Sequence, residues 1–362
     1  MTERETVNNA GDDSEQLLAQ IEQARANDSG LYICGGGSKR HILGRECQAS
    51  ELNLASHIGI VNYEPGELVI TARGGTPLTD IAATLAKENQ VLSFEPPLLR
   101  GKATLGGTLA CNLSGPARPW AGAFRDMVLG VQLLSAKAQR LNFGGRVMKN
   151  VAGYDISRLQ AGALGTLGVI SEVSFRVSPR DECQRTLCYE MPAQQALDTM
   201  NRRAGEAAPL SGACWLDGQL YLRLSGAASA VQHKAALWGG DTQTGDDHFW
   251  QHLREQTLPF FTGDSPLWRL SLGSTTPVDL TTDTPLIDWC GARRWYRSEQ
   301  LPDTLAQSTS TSGGHAILYR GGDRQAEVRS PPGPVEQRLQ LRLKQSFDPE
   351  GIFNPGRLYS WL

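Results

Sequence analysis

The chain has 362 residues, of which 40% are hydrophobic, and it carries a formal net charge of −3 with a pI near 6.1. This length supports two hydrophobic cores, and the small net charge gives no basic surface for nucleic acid and no polybasic membrane anchor. No apolar run approaches the ~20 residues of a transmembrane helix, and the polar, acidic start is unlike a signal peptide. We therefore expect a cytoplasmic protein without a transmembrane segment.

Seven cysteines, at positions 34, 47, 111, 183, 188, 214 and 290, include no C-x-x-C pair. Their odd number and irregular spacing argue against a disulfide framework and against a four-cysteine iron–sulfur cluster. We expect all of them to be reduced, buried packing residues, including Cys34 and Cys111, which lie beside glycine-rich segments.

Residues 1–14 are predicted to be disordered, and the apolar spacing of residues 15–27 predicts an amphipathic helix. The segment LYICGG predicts a strand that runs directly into Gly35-Gly36-Gly37-Ser38-Lys39. Three consecutive glycines allow backbone amides to form a nest around a pyrophosphate, to which Lys39 adds charge. The segment fits neither the G-x-G-x-x-G pattern nor a P-loop.

The next segments predict a small βα-rich unit. LNLASHIGIVNYEPGELVITARGG predicts strands interrupted at Glu64-Pro65-Gly66, and TPLTDIAATLAKENQ predicts a helix. VLSFEPP then leads into the most unusual part of the chain, in which twelve of the seventy residues from Gly101 to Ile170 are glycine. The clusters G-G-T, S-G-P and G-A-L-G-T-L-G alternate with apolar runs, which predicts short strands joined by loops that wrap a ligand. Tight turns in an ordinary α+β domain are the alternative.

ATLGGTLACNLSGP, RDMVLG and GYDISRLQAGALGTLGVI together resemble the second half of the FAD-binding domain of the vanillyl-alcohol oxidase type, found in flavin-dependent 2-hydroxy-acid dehydrogenases. KNVAGYD and FDPEGIFNPGRLY resemble its glycolate oxidase branch more than the flavin reductase of cell-wall precursor synthesis. The resemblance covers roughly residues 15–180 and 340–362. It implies an α+β fold in which a two-subdomain FAD-binding domain carries a smaller antiparallel α+β cap.

The resulting domain prediction has four parts: a disordered N-terminus over 1–14, an FAD-binding domain over 15–180 with subdomains 15–95 and 96–180, a cap over 181–335, and a C-terminal helix and tail over 336–362 that return to the FAD-binding domain. The cap contains six of the eight tryptophans. Its alternating segments GQLYLRLSG and HAILYRGGD predict strands, while SAVQHKAALW and DDHFWQHLREQ predict helices.

The resemblance also implies the residues that contact FAD, mostly through backbone groups that approach it closely. They are Gly35, Gly36, Gly37, Ser38, Lys39, Pro97, Gly101, Thr104, Gly106, Gly107, Ala110, Asn112, Gly115, Gly122, Asp126, Gly165, Thr166, Gly168, Val169 and Ile170. For Asp126, bracing of a turn is an equally open interpretation. Because His41 is displaced from the GGGSK loop, we expect the FAD to be non-covalent.

Catalytic residues are less evident. Oxidation of a 2-hydroxy acid requires a base, hydride transfer to the flavin and cations for the carboxylate. The histidine cluster of catalytic family members is missing. His248 and His252 lie four residues apart near Asp246 and Asp247, but exposed helix positions explain them better than a metal does. The weak candidates are His315, Arg320, Arg324 and Arg357, each of which could equally form a salt bridge.

These observations predict an FAD-carrying subunit of a glycolate oxidase complex. The resemblance implies two partners, a larger homologous flavoprotein and an iron–sulfur subunit, through which the complex could lie peripherally on the inner membrane. Glycolate or a related 2-hydroxy acid is the expected substrate. A self-sufficient FAD-dependent dehydrogenase and a structural subunit without flavin are the alternatives.

Overall fold

The computed structural model describes residues 11–145, 155–243, 248–278, 284–299, 307, 309–311 and 313–362. The described helices with defined bounds are α1 (Ser14–Ala26), α2 (Leu78–Lys87), α3 (Leu105–Cys111), α4 (Arg118–Ala121), α5 (Phe124–Met127), α6 (Ile156–Leu159), α7 (Ala193–Ala204), α8 (Ala228–Trp238), α9 (His248–Glu255) and α10 (Pro334–Phe347). The described strands are β1 (Leu31–Cys34), β2 (Ser50–Asn53), β3 (Ile60–Glu64), β4 (Val69–Arg73), β5 (Gln90–Val91), β6 (Val128–Leu134), β7 (Arg140–Gly144), β8 (Val169–Arg176), β9 (Ser178–Pro179), β10 (Cys183–Glu190), β11 (Leu210–Leu216), β12 (Gln219–Gly226), β13 (Asp241–Gln243), β14 (Leu267–Ser271), β15 (Leu286–Asp288), β16 (Arg293–Arg297) and β17 (His315–Arg320).

Residues 14–179, which we call the N-terminal unit, contain a five-stranded antiparallel sheet in the order β3-β4-β8-β6-β7. All five residues of β4 are buried, because helices cover the sheet around a core that includes Phe94, Phe124 and Phe175. The Phe94 and Phe124 rings stack at 4.4 Å between centroids, and Phe175 meets Phe124 edge-on. This rigid core fixes the ends of β4 and β8, where loops open toward a cavity.

A smaller parallel pair, β1 with β2, lies beside this sheet. Helix α1 covers the pair with Leu17, Ile21 and Ala24, whose spacing places them on one helical face. The chain's C-terminal tail extends the pair, since Phe353 bridges Leu31 in parallel.

One predicted element is wrong. The G-G-T cluster, expected as a strand and loop, forms the helix α3. Leu105 and Leu109 are fully buried on its inner face, and burial of these leucines overrides the low helix propensity of glycine. The glycines have a packing function instead, because a Cβ on Gly106 would lie only 3.1 Å from the carbonyl oxygen of Gly74.

Residues 183–320, which we call the cap, form an eight-stranded antiparallel sheet in the order β13-β10-β12-β11-β15-β16-β14-β17. Helices α7 and α8 cover part of one face through the core that contains Leu197, Val231 and Trp238. The opposite face packs on the N-terminal unit, where a second core joins Leu43 and Leu113 to cap residues such as Trp295 and Tyr319. The two units therefore share a packed boundary.

Helix α10 returns the chain to the N-terminal unit. Its Lys344 donates to the Asp348 carboxylate at 2.7 Å and to the carbonyl oxygens of Thr166 and Phe353. Most of the KNVAGYD motif lies outside the described residues; its last residue, Asp155, caps α6 by accepting from the Arg158 amide at 3.0 Å. Residues 1–10 and the acidic pair 246–247 also lie outside the described part.

Candidate functional site: a cavity lined by backbone amides

An open cavity lies in the N-terminal unit between β1, α3 and the start of β8, with about 730 Å³ of empty space that includes the solvent at its mouth. Its lining consists of Tyr32, Ile33, Cys34, Gly35, Gly36, Gly37, Ser38, Lys39, Arg40, Leu54, Gly74, Thr104, Gly106, Gly107, Ala110, Cys111, Leu164, Gly165, Gly168, Ile170, Asn354 and Arg357. All of these residues come from the N-terminal unit or the C-terminal tail.

The loop after β1 forms one wall of the cavity. Gly36 is required there by close approach, because a Cβ on this residue would collide with the carbonyl oxygen of Lys102. Among the described residues, none accepts a hydrogen bond from the backbone amides of residues 35–39. Consecutive amides without partners on a concave surface form an anion-binding nest.

Lys39 places a buried cation at the end of this nest. Its side chain is 9% exposed, and the only hydrogen bond it makes with the described residues is to Ser38 Oγ at 3.4 Å. It forms no ion pair within the described part of the chain. Burial lowers the pKa of Lys39, and a buried ammonium group is favourable only when an anion accompanies it.

The second wall is the start of α3. The amide of Gly106 donates to the carbonyl oxygen of Gly74 at 2.8 Å, which joins α3 to the end of β4. Gly107 presents no side chain, so the space above it extends to Thr104 Oγ1 and Lys39 Nζ, at 3.1 and 3.9 Å from an added Cβ. Backbone atoms therefore form this second wall of the cavity.

The third wall combines the loop before β8 with the C-terminal tail. The Ile33 amide donates to Asn354 Oδ1 at 2.7 Å, and Asn354 Nδ2 donates to the carbonyl oxygen of Leu164 at 2.6 Å. Gly165 has a φ of +73°, a conformation that glycine adopts without strain. The tail thus clamps β1 to the loop that faces it.

Two thiols also face the cavity. All seven cysteines are unpaired, and Cys188, Cys214 and Cys290 are buried. Burial and the neighbouring Glu51 raise the pKa of Cys34 to about 11, and burial raises that of Cys111. Both are therefore protonated thiols and poor nucleophiles at neutral pH.

The cavity brings together more than half of the residues proposed for flavin contact. Its lining includes Gly35, Gly36, Gly37, Ser38, Lys39, Thr104, Gly106, Gly107, Ala110, Gly165, Gly168 and Ile170. Outside the lining lie Pro97, Gly101, Asn112, Gly115, Gly122, Asp126, Thr166 and Val169. The contacts of either set with a bound flavin stay a prediction.

Two residues outside the lining have clear local contacts. Asp126 Oδ2 accepts from the Ala123 amide at 2.8 Å, which is the turn-bracing contact considered for it. Asn112 Oδ1 accepts from the Arg125 amide at 3.3 Å. These side chains position the turn between α3 and β6.

Of the catalytic candidates, only Arg357 lines the cavity, and its guanidinium donates to the backbone oxygens of Lys39, Ile42 and Arg45. Arg324 likewise binds the carbonyl oxygen of Gly44, and Arg320 binds that of Phe261.

His315 is exposed on β17. His248 and His252 stand 6.3 Å apart between ring centroids, and His252 Nδ1 contacts Thr257 Oγ1. Within the described ranges, no group of three or more histidine, cysteine or acidic residues could hold a metal ion. None of the described helices has the length and apolar content to cross a membrane.

Comparison with known proteins identifies the type of domain. A family model described as an FAD binding domain matches residues 10–144, so the cofactor of this domain is FAD. The chain is 44% identical over 351 residues to the glycolate oxidase subunit GlcE of Escherichia coli K12, covering 97% of this chain and 99% of that one.

Two further relatives are oxidoreductases or subunits of them. The D-lactate dehydrogenase of Archaeoglobus fulgidus is 25% identical over 408 residues, covering 95% of this chain and 89% of its own. The glycolate oxidase subunit GlcD of Bacillus subtilis is 30% identical over 161 residues, covering 44% of this chain and 32% of its own.

A solved structure of p-cresol methylhydroxylase with substrate bound superposes with a TM-score of 0.71 at 14% identity, covering 95% of this chain and 87% of that chain. At this identity the likeness shows the fold alone. The predicted fold class is confirmed: an FAD-binding domain of the vanillyl-alcohol oxidase type carries an antiparallel α+β cap.

Proposed function

The chain belongs to the family of the glycolate oxidase subunit GlcE, and on that premise we propose that it is the FAD-binding subunit of a complex that oxidises glycolate to glyoxylate. The oxidation removes two electrons and two protons from the hydroxyl-bearing carbon and its oxygen. FAD supplies the chemistry of accepting the two electrons. In this proposal residues 15–180 and the C-terminal tail bind FAD, and residues 181–335 form the cap.

The proposal rests on the backbone amides of residues 35–39, which donate hydrogen bonds to no described residue, together with the Lys39 side chain. FAD contains a pyrophosphate, which requires several hydrogen-bond donors and a compensating charge. The amides supply the donors and Lys39 the charge, in a wall that leaves no room for side chains at Gly36. The residues present therefore fit the cofactor.

The remaining lining fits the flavin and adenine portions of FAD. We assign Thr104, Gly106, Gly107 and Ala110 to one edge of the cofactor, and Gly165, Gly168 and Ile170 to the opposite wall. These residues would act chiefly through backbone groups, since most have no side chain or a small one. Pro97, Gly101, Gly115 and Gly122, which lie outside the lining, would shape the loops behind it.

We propose that the FAD is non-covalent. The thiols of Cys34 and Cys111 face the cavity but are protonated, because burial raises the pKa of each. His41 is exposed and is not among the lining residues. Acid precipitation of the yellow protein should release the flavin into the supernatant. Flavin that remained in the washed pellet would contradict this assignment.

We further propose that this subunit relays electrons beside a larger catalytic flavoprotein of the GlcD type and an iron–sulfur subunit. The cavity lining, within the described residues, contains neither a carboxylate nor an imidazole that could accept the hydroxyl proton. A subunit with a flavin site but no nearby base is suited to receiving electrons from a partner.

The test is an anaerobic absorbance spectrum of the FAD-loaded chain purified alone, followed by addition of glycolate and then of D-lactate. We expect oxidised-flavin bands that persist with substrate and bleach once the partner subunits are added. Rapid bleaching by the isolated chain would make it a self-sufficient dehydrogenase. A protein that stayed colourless after FAD was supplied would leave only a structural role.

A further inference from the structure

Helix α10 exposes large apolar side chains to solvent. Five such side chains are exposed in the described part of the chain, and three of them lie on this helix: Val335, Leu339 and Leu341, which are 60%, 54% and 44% exposed. Among the residues of α10, Lys344 alone is buried. Single exposed leucines are ordinary on a protein surface, but three on one helix of 14 residues form a patch of the kind that binds a partner.

Two arginines stand between these apolar side chains. At about 3.6 residues per turn, Arg338 and Arg342 project from the sector of α10 that separates Leu341 from Val335 and Leu339. Both arginines are exposed, and neither guanidinium forms an ion pair or a hydrogen bond with a described residue. The outer face of α10 is therefore apolar at its two edges and positively charged along its middle.

This arrangement of charge fits a protein partner better than a membrane or a second copy of the chain. An amphipathic helix on a membrane buries the middle of its apolar face and keeps its cations toward the water, which is the reverse of α10. A symmetric contact between two copies contains the same patch twice, so it would bring Arg338 and Arg342 close to their own copies. A partner with carboxylates set between apolar side chains would pair with both arginines and cover the leucines.

The inner face of α10 is joined to the wall of the cavity. Lys344 Nζ donates to the carbonyl oxygen of Thr166 at 2.9 Å and to that of Phe353 at 3.0 Å. Each of these residues is next in sequence to a residue of the cavity lining, Gly165 in the first case and Asn354 in the second. A partner that covers the outer face of α10 would therefore be separated from this wall by a single helix, about 10 Å across.

We propose that the outer face of α10 is the docking surface for a partner subunit of the complex, which presents carboxylates between apolar side chains. Arginine is enriched in protein interfaces, where its guanidinium binds a carboxylate bidentately and its stem packs on apolar groups. The inference rests on the proposed function, because that function supplies the partner. It gives the partner a position one helix away from the proposed flavin site, which suits an electron relay.

The experiment measures binding of each purified partner subunit, the larger flavoprotein and the iron–sulfur subunit, to the immobilised FAD-loaded full chain. We expect Leu339→Gln and Arg338→Glu each to raise the Kd of one of these subunits about tenfold or more. FAD content, measured on the same samples, should not change, because both positions are exposed and lie outside the cavity lining.

Matched controls and the salt dependence separate this surface from the rest of the molecule. Leu237→Gln changes an exposed leucine of α8, and Arg202→Glu changes an exposed arginine of α7, so neither variant should raise the Kd. If the arginines of α10 pair with carboxylates, the Kd of the unchanged chain should rise with salt concentration. That rise should be less steep for Arg342→Gln, which removes one of the paired charges.

The proposal is overturned if the partner subunits bind Leu339→Gln and Arg338→Glu as tightly as the unchanged chain. It is also overturned if Leu339→Gln abolishes sedimentation of the chain alone with phosphatidylglycerol vesicles, which would make α10 a membrane-binding surface. Dissociation of a dimer of the chain alone by the same variant would instead make α10 a contact between copies, and would overturn it too. An unchanged chain that bound neither subunit would mark failure of the proposed complex itself, and the docking surface would fail with it.

Discussion

The N-terminal unit and the cap place their hydrogen-bond donors by different means. In the N-terminal unit the donors are backbone amides of residues 35–39, made accessible by the absence of side chains. In the cap they are long side chains such as that of Arg223, which reaches Glu95 of the N-terminal unit at 2.8 Å. A backbone site depends on local sequence, whereas a side-chain site in a sheet depends on which distant strands pair.

The contrast predicts that the backbone site tolerates substitution least. Gly36→Ala should abolish FAD binding and destabilise the fold by about 3 kcal/mol or more, because the new methyl group would collide with the Lys102 carbonyl. FAD content and urea unfolding measure the two effects. Gly66→Ala is the control, since an added Cβ there meets nothing within 4 Å. Full FAD content in Gly36→Ala would show that the loop moves freely.

The clamp that holds this wall should give the next largest effect. Asn354→Ala removes a partly buried hydrogen bond from the Ile33 amide and a buried one to the Leu164 carbonyl, and should lower the free energy of unfolding by about 2–4 kcal/mol. Urea denaturation of the apo chain measures it. The control Asn142→Ala loses only the exposed hydrogen bond that Gln132 donates, and should change the free energy of unfolding by no more than about 0.5 kcal/mol. Equal costs at the two positions would contradict a clamping role.

Lys39→Met tests the buried cation in the loop after β1. The Kd of FAD should rise about 10–100-fold, the value of a hydrogen-bonded charge. The free energy of unfolding of the apo chain should stay the same or increase, because the variant removes a buried cation that has no anion beside it. Lys137→Met, at an exposed position, is the control. An apo chain destabilised by Lys39→Met would indicate a structural ion pair instead.

Titration of Lys39 should make the stability of the apo chain and its affinity for FAD depend on pH in opposite directions. Burial lowers the pKa of Lys39 in the folded apo chain below its unfolded value of about 10.4. Apo stability therefore rises with pH between the folded and the unfolded pKa, while FAD affinity falls over that range because the bound anion requires the ammonium form. Both slopes should disappear in Lys39→Met. Parallel slopes in the variant would assign them to other groups.

The smallest effect is expected at the rim of the cavity. Arg40 pairs with Glu51, and both side chains are more than two-fifths exposed. Glu51→Gln should change the free energy of unfolding by less than about 1 kcal/mol, because solvent and salt screen such pairs. Glu22→Gln on the exposed side of α1 serves as the control. A larger loss at Glu51 would show that the rim contributes to the rigidity of β1.

The backbone site was largely predictable, for a physical reason. Close approach of a chain to a ligand demands small residues, so Gly35–Gly37 and Gly106 are visible in the sequence without knowledge of the fold. The same signal was misleading for secondary structure, since burial of Leu105 and Leu109 makes a helix of the segment that contains Gly106.

The side-chain contributions could not be predicted in this way. Asn354 acts from more than three hundred residues away, and the FNPGR ending predicted only that the tail returns to the FAD-binding domain. Arg223 looks like an ordinary charged residue until the cap packs on the N-terminal unit and brings it to Glu95 at 2.8 Å. The catalytic candidates Arg320 and Arg324 bind carbonyl oxygens.

The clamp at Asn354 also sets an order of events during biosynthesis. Strand β1, among the first elements to leave the ribosome, pairs with β2 early but gains its second neighbour only when residues 352–354 emerge. Until then the third wall of the cavity lacks Asn354, so we expect the nascent chain to hold FAD less tightly. Stable loading with FAD should therefore follow translation, and a chain truncated before residue 354 should hold FAD weakly.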